Sequence, residues 1–262
     1  MEDPVVYIKA IIAVDFYIGS FFVFLICNNI LIKSFKKGRI NYFFCCCNEV
    51  SGKQRIITVV MVVKVFDFDK TLTEKDTFTS FLFFVGKGKT GLIFRKTVYY
   101  FFLLIRVLKL ISNRTLKIIG LNLFLPDDPE LVKVYSKEFA DTIALNKNVV
   151  KMLNESKENS KVLICSASPA IYIEFLFPGI PVIGLELSKE KEYGIKKLPY
   201  KEKKLEYVKQ MGIDTIEELY TDSLSDKSLA QIAKKIFVVR RDRVTVYNDY
   251  ESYKKHFTFF NR

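Results

Sequence analysis

Apolar positions along the chain fall into two kinds of block. Short, β-branched blocks at 59–66 (VVMVVKVF), 161–165 (KVLIC), 181–187 (PVIGLEL), 218–221 (ELYT) and 237–239 (FVV) have the length and composition of buried strands. Between them the apolar spacing turns helical. Asp76 or Thr77 caps the Phe-rich stretch TFTSFLFFVG, which Gly86, Gly88 and Gly91 interrupt. Asp128 followed by Pro129 is the N-cap and N1 pair of a helix with Leu131, Val134, Tyr135 and Phe139 on one side, expected to run on toward Leu153. Leu205, Val208 and Met211 share a face of another helix, with Gly212 past its end. Leu229, Ile232, Ala233 and Ile236 mark a further one. The residues 192–195 read as a turn. Strands alternating with helices predict an α/β domain built on a mainly parallel sheet, with a long helical insertion after its first strand.

Two stretches depart from this alternation. Residues 16–32 are almost wholly apolar, broken by Asn28 and Asn29, and are followed by Lys33, Lys36, Lys37 and Arg39. Extended back through residues 11–14, and so across Asp15, the run reaches membrane-spanning length. The basic residues after it then put the rest of the chain on the cytoplasmic side of the membrane. The equal alternative is an irregular extension. The second stretch is 91–111 (GLIFRKTVYYFFLLIRVLKLI). At 100° per residue Arg95, Arg106 and Lys109 share a side, and Phe94, Tyr100, Phe101, Phe102, Leu104 and Leu108 cover much of the remainder. Such a helix suits an anionic membrane surface; it equally suits a cap packed on the core.

Composition narrows the chemistry. The 262 residues suffice for one α/β domain with a smaller insertion, and a net charge of +12 favours anionic partners. The single histidine, His256, makes a Ser-His-Asp hydrolase or a multi-His zinc site a poor fit. The five cysteines, three of them contiguous at 45–47, form no disulfide framework and no C-x-x-C pair. They point to a reducing compartment. No interleaved basic-aromatic motif points to nucleic acid.

The strand ends carry the chemistry. Block 59–66 runs into Asp67-Phe68-Asp69-Lys70-Thr71. Two carboxylates beside a buried strand end need a partner, and hard oxygen ligands suit magnesium. Block 161–165 runs into Ser166-Ala167-Ser168-Pro169, where Ser168 can cap a helix opened by Pro169 and leave Ser166 beside the helix N-terminus. Block 218–221 runs into Asp222-Ser223-Leu224-Ser225-Asp226. The string DFDKTLT resembles motif I, D-x-D-x-T, of the haloacid dehalogenase superfamily of phosphatases and phosphotransferases. Ser166 resembles its motif II and Asp222 with Asp226 its motif IV. Lys203, with Lys204 as nearest competitor, resembles the motif III lysine. Lys70 stands where many members have Gly. The insertion between motifs I and II resembles the subfamily that includes phosphoserine phosphatases, and several flanking residues resemble the branch containing bacterial phosphatidylglycerophosphatase C.

This resemblance implies a Rossmann-like parallel sheet with helices on both faces, with core segments 57–75 and 161–240, a helical cap over 76–160, an N-terminal extension over 1–50 and a tail over 241–262. It implies a phosphomonoester hydrolase in which Asp67 is the nucleophile and forms an aspartyl-phosphate. Asp69 is the general acid and base. Thr71 holds the loop, Ser166 and Lys203 hold phosphate oxygens, and Asp226 positions Lys203 or a bound water. Mg²⁺ is held by Asp67, the Asp69 carbonyl and Asp222. The substrate is a lipid phosphate such as phosphatidylglycerophosphate or, alternatively, a soluble phosphomonoester of the phosphoserine type. A reading of another class is a non-catalytic, membrane-associated phosphate-binding module, against which the intact Asp67, Asp69, Lys203 and Asp222 speak.

Overall fold

The computed structural model describes residues 62–241 and 243–258, and as backbone alone the strand residues 25–27, 30–37, 40–47 and 55–58 and residues 259–260. The chain divides into a unit over 1–60 and a unit over 61–262. In the first, β1 (Leu25–Cys27), β2 (Ile30–Lys37), β3 (Ile40–Cys47) and β4 (Arg55–Thr58) form an antiparallel four-stranded sheet in chain order. The apolar run at 16–32 lies outside the described residues up to 24 and at 28–29; its remainder is extended in β1 and β2. Among the described residues no helix is long and apolar enough to cross a membrane.

The second unit is built on seven strands: β5 (Val63–Phe66), β6 (Lys161–Pro169), β7 (Val182–Lys189), β8 (Tyr193–Lys197), β9 (Ile216–Thr221), β10 (Ala233–Arg240) and β11 (Arg243–Tyr247). Their order is β11-β10-β9-β5-β6-β7-β8. The five inner strands are parallel, and both edges are closed by antiparallel strands. The centre reads as predicted because its strands are buried on both faces: Val65, Phe66, Leu163, Ile164 and Leu219 have no exposed surface. Phe66, Tyr220 and Phe237 occupy paired positions on β5, β9 and β10 and stack ring on ring at 4.1 and 4.4 Å. Departures from expectation lie elsewhere: Ala233 and Ile236, expected on a helix, belong to β10, because the helix before it spans only Lys227–Ala230. Residues 193–197, expected to begin as a turn, form β8, and the tail supplies β11 and a helix, α9 (Tyr250–Phe260).

The helical insertion comprises α1 (Phe78–Val85), α2 (Leu92–Val107), α3 (Asn113–Phe124) and α4 (Pro129–Ala140). Asp128 caps α4 as expected, accepting from Glu130 N at 2.9 Å. The helix stops at Ala140 instead of reaching Leu153. A separate helix, α5 (Lys147–Asn159), packs on β6 and on the loop after β5, so the cap gives way to the core near Leu145 instead of at 160. The cap leaves and rejoins the core through one place: Thr73 bridges Leu145, Glu74 N donates to Ala144 O at 3.1 Å, and Asn146 N donates to Leu72 O at 2.9 Å. Its far side is tied to β8, where Asn122 exchanges two 2.8 Å hydrogen bonds with the Tyr193 backbone. The remaining helices are α6 (Ala170–Leu176), α7 (Glu202–Gln210) and the short α8 (Lys227–Ala230). Val208 on α7, Leu229 on α8 and Tyr253 on α9 pack on one face of the sheet. Leu153 on α5, Ile173 on α6 and the cap residues pack on the other.

In α2 the orientation is the surprise. The sequence separates an apolar side from Arg95 and Arg106; the structure turns the arginine side toward the protein. Arg95 donates to Leu123 O on α3 at 2.7 Å, and Tyr99 is buried between Phe83 and Phe124. The opposite, apolar side faces water.

Candidate functional site

In this strand order β5 has β6 on one side and β9 on the other, and the crevice at such a reversal is where open α/β sheets bind ligands. Motif residues from all three strand ends meet there. Asp67 follows β5, and its amide extends the ladder to Tyr220 O at 2.9 Å. Ser166 lies in β6, and Asp222 follows β9.

The turn after Asp67 is tight. Lys70 has φ 58°, ψ 7°, a left-handed conformation that disfavours a side chain by roughly 1 kcal/mol; this is the physical reason a glycine suits this position. The loop is held by Thr73, not by Thr71 as expected. Thr73 Oγ1 accepts from Lys70 N at 3.1 Å and lies 2.8 Å from Lys75 O and 3.2 Å from Phe68 O. The Thr71 hydroxyl is buried with no hydrogen-bond partner among the described residues.

The lysine of the site is Lys204. Its Nζ lies 2.7 Å from Asp67 Oδ1 and 2.7 Å from Asp226 Oδ1, and all three residues are buried. Lys203, the expected residue, is exposed on the first turn of α7 and takes no part. Asp226, expected to position Lys203 or a bound water, meets Lys204 instead: its Oδ2 accepts from Thr221 Oγ1 at 2.8 Å while Oδ1 holds the ammonium. Burial pushes Lys204 toward neutrality, but the carboxylates of Asp226 and Asp67 outweigh it and hold its pKa well above the ordinary lysine range. Burial pushes the Asp67 carboxyl well up; Lys204 opposes this, and Asp226 and Asp222 add to it. Asp222 is raised by burial and then by Asp226. Three carboxyls, those of Asp67, Asp222 and Asp226, thus crowd around Lys204.

Asp69 is oriented from the cap. Its Oδ1 accepts from Thr77 N at 2.8 Å and Thr77 Oγ1 at 2.6 Å, and its Oδ2 accepts from Ser168 Oγ at 2.5 Å. Ser168 therefore spends its hydroxyl on Asp69 and not on capping α6, which begins at Ala170 without a side-chain cap. Ser166 is buried, and its Oγ accepts from Ser168 N at 3.0 Å.

Lys117, on α3 of the cap, went unnoticed in the sequence. It is buried, with Nζ 3.5 Å above the Phe78 ring. Burial lowers its pKa to about 8, and the charges of Asp69 and Asp76 pull it partly back. Gly120, one turn on, lets α3 come close: a Cβ there would meet Leu82 at 2.5 Å and Tyr99 at 2.9 Å. Cys165, in the middle of β6, is pushed up to about 12 by burial and is no nucleophile.

The donor set fits a hard divalent cation. Asp67 and Asp222 offer two carboxylates, and the Asp69 carbonyl lies between them in the chain. Among the described residues no three His, Cys, Asp or Glu side chains are arranged to hold a metal. Magnesium needs fewer, taking one or two carboxylates and completing its shell with water and phosphate oxygens. A cation here would offset the burial, and the added repulsion from Asp226, that raise Asp67 and Asp222.

The family model of haloacid dehalogenase-like hydrolases matches residues 65–231. No curated protein sequence matches the chain. Among solved structures it is similar to a protein of unknown function from Bordetella pertussis Tohama I, at 16% identity and TM-score 0.53, over 65% of this chain and 86% of that one. It is also similar to a substrate-bound phosphoserine phosphatase, at 12% identity and TM-score 0.50, over 75% of this chain and 98% of that one. At these identities the likeness is one of fold.

Proposed function

Because the chain belongs to the haloacid dehalogenase-like hydrolase family, we propose that it is a magnesium-dependent phosphomonoester hydrolase working through an aspartyl-phosphate on Asp67. The observation that carries this reading is the buried chain Asp67–Lys204–Asp226, which fixes a carboxylate at the sheet's ligand-binding edge beside a charged ammonium. An Asp67 oxygen bonds to phosphorus while the bond to the leaving oxygen breaks, and Asp69 gives that oxygen a proton. A water then attacks phosphorus, giving a proton to Asp69, as the bond between phosphorus and the Asp67 oxygen breaks and phosphate leaves. Lys204 and Ser166 hold non-bridging oxygens as charge develops on them. Asp67, Asp222 and the Asp69 carbonyl would hold magnesium, whose charge would offset the repulsion between carboxylate and phosphate.

The deciding experiment is phosphate release with Mg²⁺ and with EDTA over soluble and lipid phosphomonoesters. Release that EDTA abolishes supports the reading; no release from any of them sinks it. Both substrate classes belong to this reading, as does the cytoplasmic setting expected from the basic residues after the apolar run. Titration calorimetry tests the metal set separately: Asp222→Ala should weaken Mg²⁺ about tenfold or more, since it removes one of two carboxylates. Unchanged affinity would place the metal elsewhere.

Lys117 is assigned to the leaving group, which approaches Asp69 from the cap side. A buried ammonium suits an anionic or strongly hydrogen-bonding group there. Lys117→Met should raise KM for such a substrate and also stabilise the fold. A pKa lowered from 10.5 to about 8 means that the unfolded chain holds more protons between those values, so the penalty is full below pH 8 and fades as pH rises toward 10.5. The gain in urea unfolding should be roughly 1–3 kcal/mol at neutral pH and should shrink above pH 8. A variant less stable than the parent at neutral pH would show that Lys117 is a structural residue.

A further inference from the structure

The outward side of α2 is the most apolar surface of the described chain. Ile93 is 84% exposed, Phe94 73% and Val107 68%, and Leu110 beyond the helix is 72% exposed. Tyr100, Phe101 and Leu104 continue the patch between them, each more than half exposed. Their spacing of three and four residues makes this one continuous side of the helix, with Thr97 as its polar member. A soluble surface rarely carries such a patch without a partner for it. The patch is not the by-product of a poorly packed helix, because the other side is well anchored by Tyr99 and by the Arg95 contact to Leu123 O.

The charge around the patch identifies the partner. Between Asp76 and Asp127 the chain carries no acidic residue, and Lys87, Lys96 and Lys109 are the basic residues that border the patch. Lys96 lies at the patch border over the Phe83 ring, and Lys87 and Lys109 are exposed at either end of the helix. We propose that the outward side of α2 docks the cap on an anionic lipid bilayer, with the apolar side chains in the acyl boundary and the lysines against the headgroups. A second copy of this chain is the weaker occupant, since two such basic patches repel across a symmetric interface. The inference stands apart from the catalytic reading: it concerns where the cap sits, not what Asp67 does.

The chain contains no tryptophan, so one introduced indole reports on one place without background. In the full-length protein, Phe101→Trp puts the reporter in the patch, and Val246→Trp, at a half-exposed position on β11, is the control. With vesicles of phosphatidylcholine and phosphatidylglycerol, the Phe101→Trp emission should shift to the blue and be quenched by brominated acyl chains. The control should do neither, and pure phosphatidylcholine should give a much weaker response. Ile93→Trp is a second reporter should the first disturb the helix. The double substitution Phe94→Glu and Phe101→Glu should lower vesicle partitioning by about tenfold or more, while leaving hydrolysis of a soluble phosphomonoester unchanged. A patch reporter that keeps a water-exposed spectrum with anionic vesicles overturns the proposal, even if the chain sediments with them through another segment. A blue shift that grows with protein concentration in the absence of lipid also overturns it, and assigns the face to a second copy. The emission needs no turnover, so failure of docking and failure of the hydrolase reading are separate results.

Discussion

Asp67→Asn should lower phosphate release by about four orders of magnitude or more. The amide keeps the size of the side chain, and its oxygen can still accept from Lys204, so the fold has little reason to change. What it loses is the anionic oxygen that bonds to phosphorus in the proposed route. The other carboxylates do not replace it: Asp69 is held by Thr77 and Ser168, and Asp226 is held by Lys204 and Thr221. The check is single-turnover phosphate release at high enzyme concentration, with thermal unfolding followed in parallel. Parent-like turnover by a folded Asp67→Asn protein would falsify the covalent route.

The second large effect separates two adjacent lysines. Lys204→Met removes the cation shared by Asp67 and Asp226 and leaves two buried carboxylates facing each other. Breaking such a pair from one side destabilises by about 3–5 kcal/mol, and losing a donor to the developing phosphate charge costs about a hundredfold or more in kcat. Lys203→Met changes neither, because that side chain is exposed. The Asp226→Asn variant helps to apportion the loss: it keeps the nucleophile and its lysine but removes the charge that anchors the lysine, so it should fall between the two. Equal activity of the Lys203 and Lys204 variants would remove Lys204 from the reaction.

These two lysines show where the sequence stopped being informative. The strand ends were legible, because β-branched runs that halt at carboxylates or serine need little beyond local pattern to place them. The helix start in YKEKKLEY was not. Lys201 has φ 54° and α7 begins at Glu202, and a single residue's difference turns a side chain by 100° around the helix. Only the positions of Asp67 and Asp226, far away in sequence, decide which lysine turns inward. Lys117 was hidden for a related reason. A lysine in an apolar helix usually runs its stem to the surface, and its burial becomes visible only once Gly120 has brought α3 against its neighbours. For α2, periodicity separated two sides correctly but carried no information on which one meets the protein. Hydrophobicity ordinarily answers that question, and here it gives the inverted answer. The strand β8 was missed because a short edge strand among charged residues has too few apolar positions to show a period.

The junction at Thr73 and Leu145 has a consequence for how such a protein can change over time. An insertion whose two ends already pair with each other adds little strain to its host, and each doubling of its length adds only about 0.6 kcal/mol of closure entropy. The strand ends meet the cap at this junction, at the grip of Thr77 on Asp69, at the ties to β8, and where Phe81 and Phe139 pack on Tyr172 of α6. The water-facing side of α2 lies away from those points and is free to drift in charge and in the face it shows. A surface as unusual as the outward side of α2 can then arise by substitution within the insertion alone, leaving the machinery on the sheet untouched, so that location and chemistry are inherited as separable parts of one chain.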